Sequence, residues 1–229
     1  MKKILPILIA LVVALAAATD IFLYDLNNKN LGKIFAQQVA NNNIAAASSI
    51  KTITPVPPVA LAIAEPIANA LSRVTKKPFG IYVMPGFSPV NPERFTGYHT
   101  GVDFETTPTE QKADIPVYAI CPGKILIKEW ASGYGGVVNV SCTLSGQAVT
   151  VTYGHLRLAS ILKKVGETLA QGEEIGVLGT GFSKETDGER RHLHLGIHKG
   201  KNAVINGYVA TEVQLAQWIN VLDYLKPVK

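Results

Sequence analysis

The sequence predicts an antiparallel all-β domain that begins near residue 78 and contains all of the chain's histidines. From there on, apolar runs rich in Val, Ile, Thr and Tyr are separated by turns that contain Gly or Pro. Five runs have the length and composition of strands: 116–121, 124–130, 136–142, 148–153 and 174–178. Short strands at close spacing favour an antiparallel sheet, because parallel strands need crossover connections of about a dozen residues or more.

The first twenty residues have the composition of an export signal. Lys2 and Lys3 precede an uncharged apolar run over residues 4–18, which ends in three alanines. This order is typical of a secretory signal peptide. A membrane anchor is the alternative, because apolar residues 21–24 extend the run past Asp20 towards the roughly 20 residues that cross a bilayer. Both interpretations predict that the rest of the chain is exported to the cell envelope or secreted.

Residues 21–77 are interpreted as a spacer or pro-segment. They contain three consecutive asparagines at 41–43 and a Pro-rich run at 54–58, which disfavour regular structure. A further hypothesis is that this segment inhibits the following domain by placing a side chain in its site.

The β domain is predicted over residues 78–205, with a C-terminal helical extension over 206–229. Residues 211–214 read Thr-Glu-Val-Gln, which has the form of a helix capping box. Leu215, Ile219 and Leu222 follow at helical spacing, as on a helix that packs one face against the domain.

The composition excludes some classes of function. An apolar fraction of 47% supplies a core and argues against a disordered chain. The net charge of +5 is modest and no dense Lys/Arg run is present, so we predict no nucleic-acid partner. A basic surface suits anionic wall polymers or lipid headgroups, and it is also consistent with an ordinary solvated surface. Cys121 and Cys142 either form a disulfide or are free, and their spacing disfavours a Cys-based metal site.

Two histidine motifs place polar side chains on one face of an extended segment. His99 and Asp103 are four residues apart with Gly101 between them, and even spacing in a strand keeps both on one face. An imidazole and a carboxylate suit Zn²⁺, although a surface histidine beside an aspartate has the same spacing. His192 and His194 alternate with leucines, so they share the face opposite an aliphatic one and lie about 6.6 Å apart along the strand.

A fifth candidate, His155, follows a strand-like run in the phrase Tyr-Gly-His-Leu. In chain order, H-x-x-x-D, this strand-end histidine and H-x-H resemble the motifs of the lysostaphin-like, LytM-type zinc metallopeptidases. The resemblance covers roughly residues 78–200. It implies an antiparallel β-sheet metallopeptidase fold of the duplicated hybrid-motif type.

The same resemblance implies the roles of the site residues. It implies that Zn²⁺ is bound by His99, Asp103 and His194, and that His155 and His192 are the catalytic pair. Three protein ligands leave a fourth position for a water, whose pKa zinc lowers to about 7. One histidine of the pair then assists the water, while the other stabilises the intermediate or protonates the leaving amine; the sequence leaves that assignment open.

The implied activity is hydrolysis of peptide bonds in the stem peptides or cross-links of peptidoglycan. A non-hydrolytic envelope factor, which binds wall or activates another hydrolase, is the alternative. A second alternative is an exported peptidase that cleaves proteins. The sequence leaves the oligomeric state open.

Two features depart from the family pattern. Residues 184–191 form a charged insertion where the family usually has a short Ser/Thr/Gly-rich stretch that ends in Pro, and we expect a loop beside the cleft that affects substrate preference. His198 is predicted to lie outside the site, because about 13 Å of strand separates it from His194. A substrate contact is the alternative for His198.

Overall fold

A computed structural model describes residues 63–225 of the chain. The predicted signal peptide or anchor at residues 1–20 and most of the predicted spacer, at 21–62, lie outside this range, as do residues 226–229. Within the described range, no helix has both the length and the apolar character needed to cross a membrane.

Between residues 63 and 225 the chain forms twelve β-strands and one short α-helix. The strands are β1 (Tyr82–Val83), β2 (Gly97–His99), β3 (Gly101–Glu105), β4 (Pro116–Tyr118), β5 (Gly123–Ala131), β6 (Gly135–Leu144), β7 (Gln147–Gly154), β8 (Thr168–Leu169), β9 (Glu174–Val177), β10 (His192–Lys199), β11 (Tyr208–Val209) and β12 (Trp218–Ile219). The helix, α1, spans Glu212–Leu215. Short 3₁₀ turns span Ala70–Arg73, Pro108–Glu110, Leu158–Ser160, Lys184–Thr186 and Val221–Asp223.

The main sheet has the strand order β12-β10-β7-β6-β5-β8, and β3 also pairs with β10. All of these pairs are antiparallel. Two smaller antiparallel sheets have the orders β1-β2-β11 and β4-β9. The predicted all-β fold is therefore confirmed, and each of the five runs predicted as strands forms one.

Strand β10 is the centre of this architecture. It pairs with β7 through residues 194–199 and with β3 through residues 192–196. Its aliphatic side chains Leu193, Leu195 and Ile197 are buried in the core, as the alternation in the sequence predicts. The histidines of β10 consequently point to the opposite face.

Residues 63–77 belong to the domain, which corrects the predicted boundary at residue 78. Ile63, Ile67 and Ala70 are buried in the same hydrophobic core as the main sheet. Backbone hydrogen bonds also tie this segment to the loop that follows β4, since Ala64 N–H donates to Ile120 O over 3.0 Å. The Asn- and Pro-rich composition therefore marks only the part of the predicted spacer that precedes residue 63.

The C-terminal region also differs from the prediction. Helix α1 has the predicted capping box, in which the Thr211 side chain accepts from Gln214 N–H. The helix ends after one turn, because Gln217 C=O accepts a hydrogen bond from Lys199 N–H and β12 then pairs with β10. Trp218 is buried by this strand pairing rather than by a helical face. The prediction of a helix through Ile219 and Leu222 is thus wrong, because tertiary pairing overrides the local spacing.

Cys121 and Cys142 form a disulfide, which decides between the two alternatives for these residues. Their Cα atoms lie 6.1 Å apart. Cys142 lies on β6, and Cys121 lies in the connection between β4 and β5.

Residues 63–77 can be tested as part of the core. We expect Ile67→Ala to lower the free energy of unfolding by about 2–5 kcal/mol, because Ile67 is fully buried and its truncation leaves a cavity. Leu71→Ala in the same segment is the matched control, with an expected change of about 0.5 kcal/mol, since Leu71 is 38% exposed. Urea unfolding of the full chain measures both. Equal effects would contradict the assignment of this segment to the core.

Candidate metal centre and active site

A cleft of about 340 Å³ lies over the histidine-bearing face of β10. Its lining includes four of the five residues that the sequence singled out: Asp103, His155, His192 and His194. His99, the fifth, is fully buried directly behind this lining.

Three side chains from β2, β3 and β10 converge at the floor of the cleft. The register of β3 against β10 places Asp103 directly opposite His194. His99 Nε2 lies 3.0 Å from His194 Nδ1 and 3.1 Å from Asp103 Oδ1. His194 Nδ1 lies 3.2 Å from the same carboxylate oxygen. Two nitrogens and one oxygen thus form a nearly equilateral triangle of ligand-type atoms.

The hydrogen bonding of His99 leaves a lone pair directed into this triangle. His99 Nδ1 lies 3.1 Å from Pro78 O, and a carbonyl oxygen only accepts, so Nδ1 carries the proton and Nε2 is free to bind a cation. Burial lowers the pKa of His194 to about 4, so this ring is neutral at neutral pH. Burial acts to raise the pKa of Asp103, but its interactions with the neighbouring imidazoles of His192, His99 and His194 outweigh this effect, so the pKa lies well below its usual range.

The donor set fits a small tetrahedral cation such as Zn²⁺. Ligand distances of about 2.0–2.2 Å in tetrahedral geometry separate the ligand atoms by about 3.3–3.6 Å. The edges of the triangle, 3.0–3.2 Å, are slightly shorter than this. Three lone-pair atoms at such separations repel each other unless a cation or a proton lies between them.

The second oxygen of Asp103 has different partners. Arg190 Nη2 donates to Oδ2 over 2.8 Å, and His192 Nε2 lies 3.2 Å from the same atom. Arg190 also donates from Nε to both carboxylate oxygens of Glu105, over 3.0 Å each. With Oδ2 engaged in this way, only Oδ1 of Asp103 is directed towards the imidazoles of His99 and His194.

His155 and His192 form a pair beside the triangle. Their ring centroids are 4.2 Å apart. His192 Nδ1 lies 2.9 Å from Arg190 O, which orients its ring, whereas Nδ1 of His155 has no partner. His155 has a left-handed backbone (φ 63°) at the residue after β7, where the chain leaves the sheet. Such a conformation is uncommon outside glycine and recurs at functional sites.

A glycine is required between the two residues of the first motif. A Cβ on Gly101 would lie 2.5 Å from Leu195 O and 2.7 Å from the His194 ring. The sequence H-T-G-V-D therefore allows β10 to approach closely enough for His194 to reach Asp103.

The far wall of the cleft contains a buried ion pair that the sequence did not indicate. Lys77 is 1% exposed; its Nζ lies 2.5 Å from Glu93 and donates to Tyr208 OH over 2.9 Å. The Tyr208 ring stacks on Phe95 and packs against His99, with centroids 5.0 and 5.2 Å apart. Widely separated residues build this wall, and no short motif links them.

Two further predictions can be compared with the structure. The charged insertion does form a loop beside the cleft: Asp187 accepts from Gly133 N–H, Glu189 pairs with Arg94, and Arg190 lines the cleft. His198 lies outside the site as predicted, with its ring 4.9 Å from that of Trp218. The His198 side chain is half-buried, because β12 pairs with β10 beside it.

We expect Gly101→Ala to lower the free energy of unfolding by about 1–3 kcal/mol, because the new methyl group displaces either the β10 backbone or the His194 ring. Urea unfolding measures the loss of stability, and NMR of the imidazole side chains measures the displacement. A variant with unchanged stability and unchanged His194 signals would contradict the close approach of β3 and β10.

Residues 97–206, which include all five site residues, match the model of peptidase family M23. No curated protein sequence matches the chain. Among solved structures, the chain is similar to Csd3 of Helicobacter pylori (22% identity, TM-score 0.45), with 73% of this chain and 35% of that chain covered. It is similar to LytU (22% identity, TM-score 0.45), with 66% of this chain and 83% of that chain covered. It is also similar to lysostaphin from Staphylococcus simulans (21% identity, TM-score 0.45), with 71% of this chain and 53% of that chain covered. The chain thus spans about a third of the length of the Csd3 chain. On the family match and its motifs, residues 97–206 form a domain of peptidase family M23, of the lysostaphin-like, LytM type.

Proposed function

We propose that this protein is an exported zinc metalloendopeptidase that hydrolyses peptide bonds in peptidoglycan stem peptides or cross-links. The observation that carries the proposal is the triangle of ligand-type atoms at the floor of a cleft, with two further imidazoles beside it. Hydrolysis uses both groups, and all five positions are occupied by the residue types that it needs.

His99 Nε2, Asp103 Oδ1 and His194 Nδ1 would hold the zinc ion. When bound, zinc supplies Lewis acidity, which polarises the scissile carbonyl group and lowers the pKa of a coordinated water from 15.7 to about 7. The protein's part is to fix three ligand atoms and leave the cleft side open for substrate.

His155 and His192 would transfer protons. Neither ring is needed to complete the triangle, and both line the cleft. Burial lowers the pKa of His155 well below its usual range, so this ring is neutral and can accept a proton. Hydrolysis needs the attacking water to lose a proton and the leaving amine to gain one, and two adjacent imidazoles can serve both steps.

Several features support export and a wall substrate. The apolar N-terminal run has the form of a signal peptide or anchor, and a disulfide such as Cys121–Cys142 persists in oxidising compartments. The net charge of +5 favours approach to anionic wall polymers. Lysostaphin, to which the chain is similar, is described as an antimicrobial peptidase.

The roles of the histidines can be separated with the full chain and purified peptidoglycan. We expect about one zinc per chain in the wild type and in His192→Ala, and a reduced zinc content in His194→Ala. Of these two histidines, only His194 is a zinc ligand in this proposal. Release of new amino groups from the wall should fall by about 10²–10⁴-fold in both variants. His198→Ala is the matched control from the same face of β10 and should retain both zinc and hydrolysis.

Two other outcomes would favour a different function for this protein. Zinc binding without any release of amino groups would favour a non-hydrolytic envelope factor. Cleavage of casein-type peptides but not of wall would favour a protein-directed peptidase.

Arg190 offers a second test, since it fixes the orientation of Asp103. We expect Arg190→Met to weaken zinc affinity by about 10–100-fold, because Asp103 Oδ2 and Glu105 lose their shared donor. Competition with a chelator measures the affinity. Arg157→Met is the control, because Arg157 pairs with Asp114 and Glu185 and makes no contact with Asp103. Equal zinc affinities of the wild type and Arg190→Met would show that Asp103 needs no such support.

A further inference from the structure

Among residues 63–225, the hydroxyl of Tyr134 is a buried polar group without a hydrogen-bond partner. Tyr134 lies in the turn between β5 and β6 and is only 7% exposed. Buried polar atoms in folded proteins nearly always have partners, because leaving one unpaired costs free energy. A phenylalanine would fill the same space without that cost. Within this part of the chain the hydroxyl adds no hydrogen bond to the fold, and its presence calls for another explanation.

Tyr134 lies between the two groups of the candidate site. Its ring packs edge-on against His194, with centroids 5.3 Å apart, and against His155, with centroids 5.7 Å apart. It lines the same cleft as Asp103 and His192. The phenol thus borders both the ligand triangle and the proposed proton-transfer pair.

Two glycines make room for this side chain. A Cβ on Gly154 would lie 2.4 Å from Cδ1 of Tyr134, so only glycine at the end of β7 allows the ring to reach His194. On the other side, a Cβ on Gly207 would lie 3.0 Å from the hydroxyl oxygen. The ring and its hydroxyl are therefore fitted closely between β7 and the segment that precedes β11.

The turn that carries Tyr134 is held in place by the charged insertion. Gly133 N–H donates to Asp187 Oδ2 over 2.7 Å, and Tyr134 N–H donates to Ala131 O over 3.1 Å. The backbone at Gly135 lies directly against Glu185 O. A donor held in this way needs little reorganisation when charge develops near it.

The two cationic side chains that line the cleft are already paired with carboxylates. Arg190 donates to Asp103 and Glu105, and Lys77 pairs with Glu93. The Tyr134 hydroxyl has no such partner. A phenol has an ordinary pKa near 10, so it carries its proton at neutral pH and can donate.

We propose that Tyr134 is a further catalytic residue, whose O–H donates a hydrogen bond to the oxygen of the scissile carbonyl group. This inference rests on the proposed peptidase function. When water attacks the carbonyl carbon, the π-electron pair of the C=O bond moves to that oxygen, and the hydrogen bond strengthens as negative charge develops. Tyr134 keeps its proton throughout, so His155 and His192 still carry the proton transfers.

The test compares Tyr134→Phe with Tyr153→Phe in the full, zinc-loaded chain. For Tyr134→Phe we expect kcat on purified peptidoglycan to fall about 10²–10³-fold, as for the loss of one oxyanion donor. KM, zinc content and Tm should be unchanged, or Tm slightly higher, because the hydroxyl lacks a partner. Affinity for a phosphinate peptide, which mimics the tetrahedral intermediate, should fall by a similar factor.

Tyr153→Phe is the matched control, because Tyr153 is also buried but its hydroxyl accepts a hydrogen bond from Ile120 N–H over 2.9 Å. This variant should lose several degrees of Tm with an unchanged kcat. If Tyr134→Phe keeps the wild-type kcat and phosphinate affinity, the role of Tyr134 is overturned, while the proposed peptidase function is unaffected. Loss of zinc or of folding in Tyr134→Phe would overturn this catalytic role too, by showing a structural one. A wild-type chain that releases no amino groups from wall would refute the peptidase function itself.

Discussion

The antiparallel pairing of β3 with β10 is the constraint on which the site depends. Its register places Asp103 opposite His194 and Val102 opposite Leu195. A shift by one residue would turn the leucines of β10 into the cleft and its histidines into the core, so burial of the aliphatic side chains strongly disfavours it. The hydrophobic effect, which has no directional preference of its own, thus fixes the register that brings His194 opposite Asp103.

Asp103 divides its two oxygens between two tasks. Oδ1 completes the triangle with His99 and His194, whereas Oδ2 contacts Arg190 and His192. One carboxylate therefore connects the triangle to one member of the proposed proton-transfer pair. The buried charges around it are compensated locally, because Arg190 lies between Asp103 and Glu105 and because Lys77 faces Glu93 on the opposite wall. This pairing makes so many charged groups tolerable in a buried site.

The features predicted from the sequence are those encoded over short distances. The five strands follow from local composition, and the grouping of His192 with His194 follows from period-two alternation. The features that were missed depend on contacts between distant residues. Nothing near Ile67 indicates that it reaches the sheet core, and the apolar spacing after Leu215 fits a helix as well as the strand that pairs with β10. Arg190 lies beside the H-x-H motif, yet only the folded chain shows which atoms it approaches, and no motif marked Tyr134 in the sequence.

The burial of residues 63–77 also limits how the protein can be processed. Ile63 and Ala64 already contact the domain, through the core and through a backbone hydrogen bond. A cut just after them would already remove Ile63 from the core, and a cut after residue 77 would also remove Lys77, whose ion pair supports one wall of the cleft. A shortened chain that keeps this domain intact therefore begins no later than residue 63. Any proteolytic processing that preserves the domain must cut upstream of that point.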